Sequence, residues 1–232
     1  MTKVTSLLFL LFLTTNCFSQ EKIKYFDADW EQTDKENMVY YRPLPQLVNG
    51  KYLFKDYYKS GKLQSEGLSL SQTEDKFEGI VKYYAENGRL TEESRFEKGK
   101  LNGKSTGYDE KGRVVFTGTN KDGDQLKRTT FLYKGDPDDE NKSLLFNVAI
   151  DYEGEERVKQ TIYDTDIHGI RAESYFAELK AKFYDTGGKL LGEMIFGLDG
   201  NPNNGILVEY IYEPSMKVDK IITYKDGVIQ TK

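Results

Sequence analysis

The sequence predicts an all-β fold, an elongated antiparallel sheet of repeated β-hairpins, either a single layer or a twisted repeat sheet. Three observations predict it. The segment Phe77-Glu-Gly-Ile-Val-Lys-Tyr-Tyr-Ala-Glu-Asn-Gly88-Arg-Leu returns at Leu101-Asn-Gly-Lys-Ser-Thr-Gly-Tyr-Asp-Glu-Lys-Gly112-Arg-Val, with Gly79, Tyr84, Gly88 and Arg89 matching Gly103, Tyr108, Gly112 and Arg113. Each copy places a glycine between an aromatic-rich run and a second run that leaves through Leu, Val or Ile, as a hairpin requires. The 17 tyrosines and 13 phenylalanines together number 30, and aromatics favour strands and half-buried sheet faces.

Taken from the amino terminus, residues 1–19 predict export. Lys3 precedes the apolar run Leu7 to Leu13, and Thr14-Thr15-Asn16 and Cys17-Phe18-Ser19-Gln20 follow at once. That is the layout of a cleavable signal peptide, and the run is far short of the roughly 20 apolar residues of a membrane helix. Cleavage after Ser19 leaves Gln20 first, and cleavage after Gln20 is the alternative. Cys17 has a rival reading as the lipid-bearing residue of a lipoprotein. That processing favours Leu three places earlier and a small residue just before, where this chain has Thr14 and Asn16. Losing residues 1–19 removes only Lys3 among the charges, so the formal charge moves from −5 to −6. The expected locations are the periplasm, the outer membrane surface or the medium. A cleaved chain has no cysteine, so packing and strand pairing rather than disulfides must hold it.

Residues 20–50 read as an amino-terminal arm carrying Trp30 as its one large anchor. Residues 51–120 carry the clear repeats. Turn glycines are expected at Gly61 in Tyr58-Lys-Ser-Gly-Lys-Leu, at Gly88, at Gly112, at Gly188 and at Gly227. Residues 121–142 read as a degenerate hairpin and an acidic loop, and 143–232 as degenerate repeats. There Lys182 to Phe196 aligns without gaps on Lys82 to Phe96, with identities at Lys182, Tyr184, Gly188, Leu190, Glu193 and Phe196. Leu144, Phe146, Val148, Ile150 and Tyr152 alternate onto one strand face. Over Ala172 to Tyr184 the spacing of Phe176, Leu179 and Phe183 also fits a helix, but the gapless repeat favours strand. Asp199 to Gly205 reads as a longer hairpin loop.

Tyr58 to Gly67 (Y-x-x-G-K-L-x-x-E-G), Tyr83 to Leu90 (Y-Y-x-x-N-G-x-L) and Gly99-Lys-Leu-Asn-Gly103 resemble the MORN-repeat variant family. Tyr25-Phe-Asp-Ala-Asp-Trp30 with Tyr40-Tyr41-Arg42 resembles the arm of its exported Bacteroidota-type members. Ile80 and Lys104 stand where the family has an aromatic, and Asp122 to Asn141 breaks the register. The resemblance implies stacked antiparallel hairpins and no catalytic residues, because the family shares no active site. It also implies an envelope binding or scaffolding role, with an antitoxin-like immunity protein as the alternative.

The residues themselves offer little chemistry. His168, in Asp164-Thr-Asp-Ile-His168-Gly169, is the one histidine and reads as a turn residue rather than a proton shuttle. No nucleophile elbow, phosphate loop or zinc spacing appears, and Gly99 to Ser105 has the wrong spacing for a phosphate loop. A hydrolase needs convergent carboxylates. Glu92-Glu93 and Glu155-Glu156 are adjacent pairs, which on a strand point to opposite faces, while the acidic loop with Asp138-Asp139-Glu140 reads as a solvated tip. Asn120 to Asp124 and Asp136 to Glu140 are oxygen-rich without a complete calcium set. The expectation is no enzyme, no cofactor and no metal site. The mildly acidic balance excludes non-specific nucleic-acid binding, which needs a positive stripe. A protein partner is expected, with a glycan as the other possibility.

Overall fold

A computed structural model describes residues 23–133, 147–163, 169–211 and 217–230. Its amino-terminal part holds β1 (Lys24–Phe26), β2 (Gln32–Thr33), β3 (Tyr40–Arg42) and β4 (Gln46–Val48). Seven longer strands follow: β5 (Lys51–Tyr58), β6 (Leu63–Ser69), β7 (Phe77–Tyr84), β8 (Leu90–Glu97), β9 (Lys100–Tyr108), β10 (Val114–Lys121) and β11 (Asp124–Leu132). The second half holds β12 (Asn147–Glu153), β13 (Glu156–Tyr163), β14 (Ile170–Tyr175) and β15 (Lys180–Tyr184). It ends with β16 (Leu190–Phe196), β17 (Pro202–Ile211), β18 (Lys217–Lys225) and β19 (Val228–Gln230). Among the described residues there is no helix, and all 19 strands join one open antiparallel sheet. From β5 onward each strand pairs with the next in sequence. The free side of β5 receives β3 and β4, and β3 leads outward to β1 and β2.

Two kinds of turn close the hairpins. Gly61, Gly88, Gly112 and Gly188 have φ of 84°, 85°, 76° and 79°. In each case the glycine N–H bonds back to the carbonyl of the residue three before it, Tyr58, Ala85, Asp109 or Asp185. The residues before these glycines keep negative φ, so one left-handed residue suffices, and Asn87, Lys111 and Gly187 can vary. At Asn49-Gly50, Lys98-Gly99, Asp122-Gly123 and Asp226-Gly227 both residues have positive φ, the two-residue type I′ turn. Gly227 therefore belongs to a different turn class from the other four.

The internal repeat is also a repeat of register. Lys82 lies opposite Glu93 and Tyr84 opposite Leu90, and likewise Lys182 opposite Glu193 and Tyr184 opposite Leu190. Even the irregularity before the turn recurs, between Tyr83 and Tyr84 and between Phe183 and Tyr184. Helical spacing over 172–184 is a coincidence of two strands. Phe183 on β15 is 7% exposed, whereas Phe176 in the preceding turn is 38% exposed.

The degenerate hairpin read at the start of 121–142 is that of β10 and β11, turning at Asp122-Gly123, and β-branched and aromatic residues from Thr129 to Leu132 pair with β12. Residues 134–146, including Leu144 and Phe146, lie outside the described residues. The loop read over Asp199 to Gly205 is shorter. Asp199 Oδ1 accepts the Asn201 N–H at 3.0 Å, the turn closes at Gly197–Asn201, and Pro202 already begins β17.

One sheet has no second layer to pack on, so burial comes from large side chains lying over small ones. Phe54 and Val81 are 1% and 0% exposed, and both lie against Gly67, where an added Cβ would sit 2.9–3.0 Å from them. Phe116 covers Gly107 and Ile206 covers Gly192 in the same way. Phe54 stacks on Phe77 at 4.6 Å, and Phe77 meets Phe96 edge-on at 5.4 Å. In the second half Ala172, Ala181, Phe183, Met194 and Val208 form a buried cluster. Such aromatic pairs add to the stabilisation from burial alone.

The amino-terminal segment is tied in by a charge. Arg42 is 7% exposed and grips buried Asp56 through Nε at 2.6 Å and a terminal nitrogen at 2.9 Å. It also pairs with Asp75, and its guanidinium lies over the rings of Phe26, Phe54 and Phe77. Ser65 donates to the second Asp56 oxygen at 2.8 Å, so both carboxylate oxygens are engaged. Burial works against the Arg42 cation, but the two aspartates hold it more firmly protonated than usual. Arg42, not Trp30, is the buried anchor here; Trp30 stacks on Tyr40 and remains 39% exposed.

Candidate binding face

In an antiparallel ladder, residues directly opposite one another share a face, so the register defines rows running across the sheet. One row is unbroken: Lys55, Glu66, Lys82, Glu93, Thr106, Thr117, Thr129, Asp151, Lys159, Tyr175. It crosses β5 to β14, on the order of 40 Å at about 4.8 Å per strand. It lies on the face opposite Phe54, Asp56, Val81 and Ser94, all of which are buried.

Charge alternates along this row and is paired across strands. Lys55 meets Glu66 at 3.6 Å and Lys82 meets Glu93 at 3.4 Å. Thr129 donates to Asp151 at 2.6 Å. Lys159 reaches Glu173 at 2.5 Å and lies over the Tyr175 ring. Tyrosine hydroxyls brace the acids: Tyr84 donates to Glu66, Tyr108 to Glu93 and Tyr184 to Glu173, at 3.0, 3.2 and 2.6 Å. Burial and the adjoining carboxylate push each of these tyrosines above the usual phenol range. Burial alone would raise Glu173, but the bonds from Lys159 and Tyr184 hold it below the usual carboxylate range.

Three shallow depressions open onto the face. The first, about 240 Å³, lies between Pro43, Leu44, Leu53, Lys55 and Tyr57. A second of about 390 Å³ is bounded by Ile80, Arg95, Lys104, Tyr108, Val114 and Thr117. The third, about 420 Å³, lies between Lys127, Asp151, Glu153, Lys159, Tyr175 and Glu178. Each includes or adjoins a member of the row. The arrangement is an extended polar surface with apolar recesses, suited to contact at several points along its length.

Among the described residues, those weighed for catalysis do not converge. Glu92 accepts from Ser94 at 2.5 Å on the buried face, whereas Glu93 faces Lys82 on the other. Glu155 and Glu156 are exposed beside a hairpin turn, and Asp122 and Asp124 flank the β10–β11 turn. His168, Asp164, Asp166, Asp136 to Glu140 and Cys17 lie outside the described residues. Among the described residues no three His, Cys, Asp or Glu side chains group as metal ligands, and no helix is long and apolar enough to cross a membrane.

The row was not anticipated, yet a signal for it exists. Lys55 and Glu66, Lys82 and Glu93, Thr106 and Thr117, and Lys182 and Glu193 straddle their turns at one constant separation, and each pair is opposed across a hairpin. The space-making glycines Gly67, Gly107 and Gly192 were also missed, because a mid-strand glycine looks like a break in the pattern.

Residues 53–69 and 77–98 match the MORN repeat variant family. The two matched segments are the β5–β6 and β7–β8 hairpins. The copies at Leu101 to Val114 and Lys182 to Phe196, beyond the matched segments, close with the same turn. No curated relative matches the chain.

Proposed function

From a chain that carries MORN-variant repeats at residues 53–69 and 77–98, we propose an exported, non-catalytic binding or scaffolding module of the cell envelope that lays a partner across the Lys55-to-Tyr175 face. MORN repeats are generally binding or scaffolding modules. The observation that carries the reading is the row itself, along which three open depressions lie on one side while Phe54, Phe77 and Phe96 pack together on the other. A repeat sheet gains contact area by adding hairpins, not by deepening a pocket. The signal-peptide layout of residues 1–19 supports export.

The test is site-specific photo-crosslinking in native cells. A crosslinking side chain at Ile80, 54% exposed on this face, should capture one protein, and the same group at Gly61 in a turn should not. Equal labelling at both positions would remove the face as the site. If the captured protein is a toxin, the binding role is protective. Mass spectrometry of the native chain checks export: Gln20 as the first residue supports it, a lipid on Cys17 changes the mode of attachment, and an intact Met1 overturns it.

A further inference from the structure

On the candidate face most of the described strand lysines have acidic partners, among them Lys55 with Glu66, Lys82 with Glu93, Lys127 with Glu153, Lys159 with Glu173 and Lys180 with Glu193. The arginines elsewhere in the sheet are engaged as well. Arg42 and Arg113 hold aspartates, Arg89 and Arg171 hold carbonyls, Arg157 bonds Gln160, and Arg128 lies over Phe116. From β5 to β14 four described strand cations break the pattern: Lys100 and Lys121 at the turn ends of β9 and β10, and Arg95 and Lys104 within their strands. Only the last two bound one of the three depressions. Arg95 on β8 and Lys104 on β9 are exposed, sit on neighbouring strands, and line the recess of about 390 Å³, whose one carboxylate, Glu93, is already held by Lys82 and Tyr108. The stem of Arg95 lies against Gly103, where an added Cβ would meet its Cδ at 2.8 Å. A β-carbon at 103 would displace this arginine, so the glycine gives its stem a seat. Like charges on adjacent strands are unfavourable, so the free sheet gains nothing from this placement.

We propose that Arg95 and Lys104 receive the carboxylate of an acidic side chain in an extended polypeptide segment of the partner, with an adjoining aliphatic residue seated against Ile80 and Val114. The inference rests on the reading that this face binds a partner, and it names the chemistry of the central contact. Arg offers a planar fork to a carboxylate and Lys a point charge, and both together suit a single anion. A polypeptide fits better than an acidic polysaccharide. The recess has aliphatic walls, and the hydroxyl of its aromatic, Tyr108, is already committed to Glu93. The depressions also lie about four strands apart, on the order of 19 Å, a span of roughly six extended residues.

The experiment selects random 12-residue displayed peptides on the purified chain and then measures Kd. The selected peptides and their Asp→Asn or Glu→Gln forms are compared on the wild-type chain, the R95Q/K104Q double variant, K55Q elsewhere on the face, and the turn control K62Q. The expected result is an Asp or Glu next to a branched aliphatic residue in the selected peptides. Amide replacement and the double variant should each weaken binding by about tenfold or more, without adding to each other, and K62Q, in the β5–β6 turn and outside the row, should change it less than twofold. Both replaced side chains are exposed, and unchanged melting of the double variant verifies its fold. Peptides that bind this face, lose affinity in K55Q and ignore the double variant overturn this inference while leaving the binding-face reading intact. Binding of oligogalacturonate that depends on Arg95 and Lys104, with no peptide selected, overturns the polypeptide occupant. Failure of every peptide and of oligogalacturonate on every variant overturns both.

Discussion

Arg42 concentrates much of the local energetics in one side chain. It neutralises buried Asp56, covers Phe26, Phe54 and Phe77, and reaches Asp75 in the loop before β7. Arg42→Ala should cost about 3–5 kcal/mol in chemical denaturation, because Asp56 would stay buried with only Ser65 beside it. A loss below 1 kcal/mol would mean that water reaches Asp56 and the pair is not truly buried. A second prediction concerns pH. Burial opposes ionisation of Glu173, but Lys159 and Tyr184 hold its folded carboxyl below the usual range. As pH falls, the unfolded chain takes up this proton first, so the contribution present at neutral pH fades below the ordinary carboxylate range and is gone once pH passes the depressed folded value. Melting temperature measured from pH 6 to pH 3 should therefore fall more steeply in the wild type than in Glu173→Gln. Identical slopes would show that Glu173 is not selectively stabilised in the folded chain.

Hairpins, rather than single residues, carry the repeat, and glycine has two separable duties within them. Gly88 supplies a positive φ in open space, with nothing within 4 Å of an added Cβ. Gly107 lies in a strand under Phe116, where an added Cβ would fall 2.1 Å from the ring. Gly88→Ala should thus cost about 1–2 kcal/mol from backbone strain alone. Gly107→Ala should cost more, because Phe116 must leave its place over the strand as well. Circular dichroism melts of the two variants decide the order, and the reverse order would show that turn strain outweighs coverage of the sheet. The duty in the turn was legible in the sequence, since Asn87-Gly88, Lys111-Gly112 and Gly187-Gly188 recur between apolar runs. Coverage was not, because it depends on which ring leans over from the next strand, and that depends on register. Lys82 and Glu93 likewise have no visible relation until the turn length sets them opposite each other. Arg95 and Lys104 read as ordinary surface cations until register sets them side by side over one recess, with Lys82, Lys127 and Lys159 elsewhere on the face paired to acids.

At the scale of the molecule the sheet is close to one-dimensional, with strands pairing only with neighbours and a few side chains such as Phe54, Arg42 and Tyr210 reaching two or three strands along, and the two ends differ. The amino-terminal end is closed by β1, β2 and β3, with Arg42 buried beneath them and Trp30, Tyr40 and Tyr58 in successive ring contact. At the other end β19 covers only Thr223, Tyr224 and Lys225 of β18, and its Val228 and Ile229 are 63% and 52% exposed. Opening should begin where fewest neighbours must be given up. Local opening free energies range from near zero at such ends to the full stability in well-packed strands. Native-state hydrogen exchange should accordingly show the amides of β18 and β19 exchanging first and those of β5 to β8 last. Arg42→Ala should erase the protection of β5 and β6 while leaving that of β15 and β16 almost unchanged, because influence passes only between strands that lie close in the sheet. Uniform protection across the chain, or an equal loss in both halves of the variant, would instead show a single cooperative unit. The repeats would then be coupled over distances that strand pairing alone does not explain.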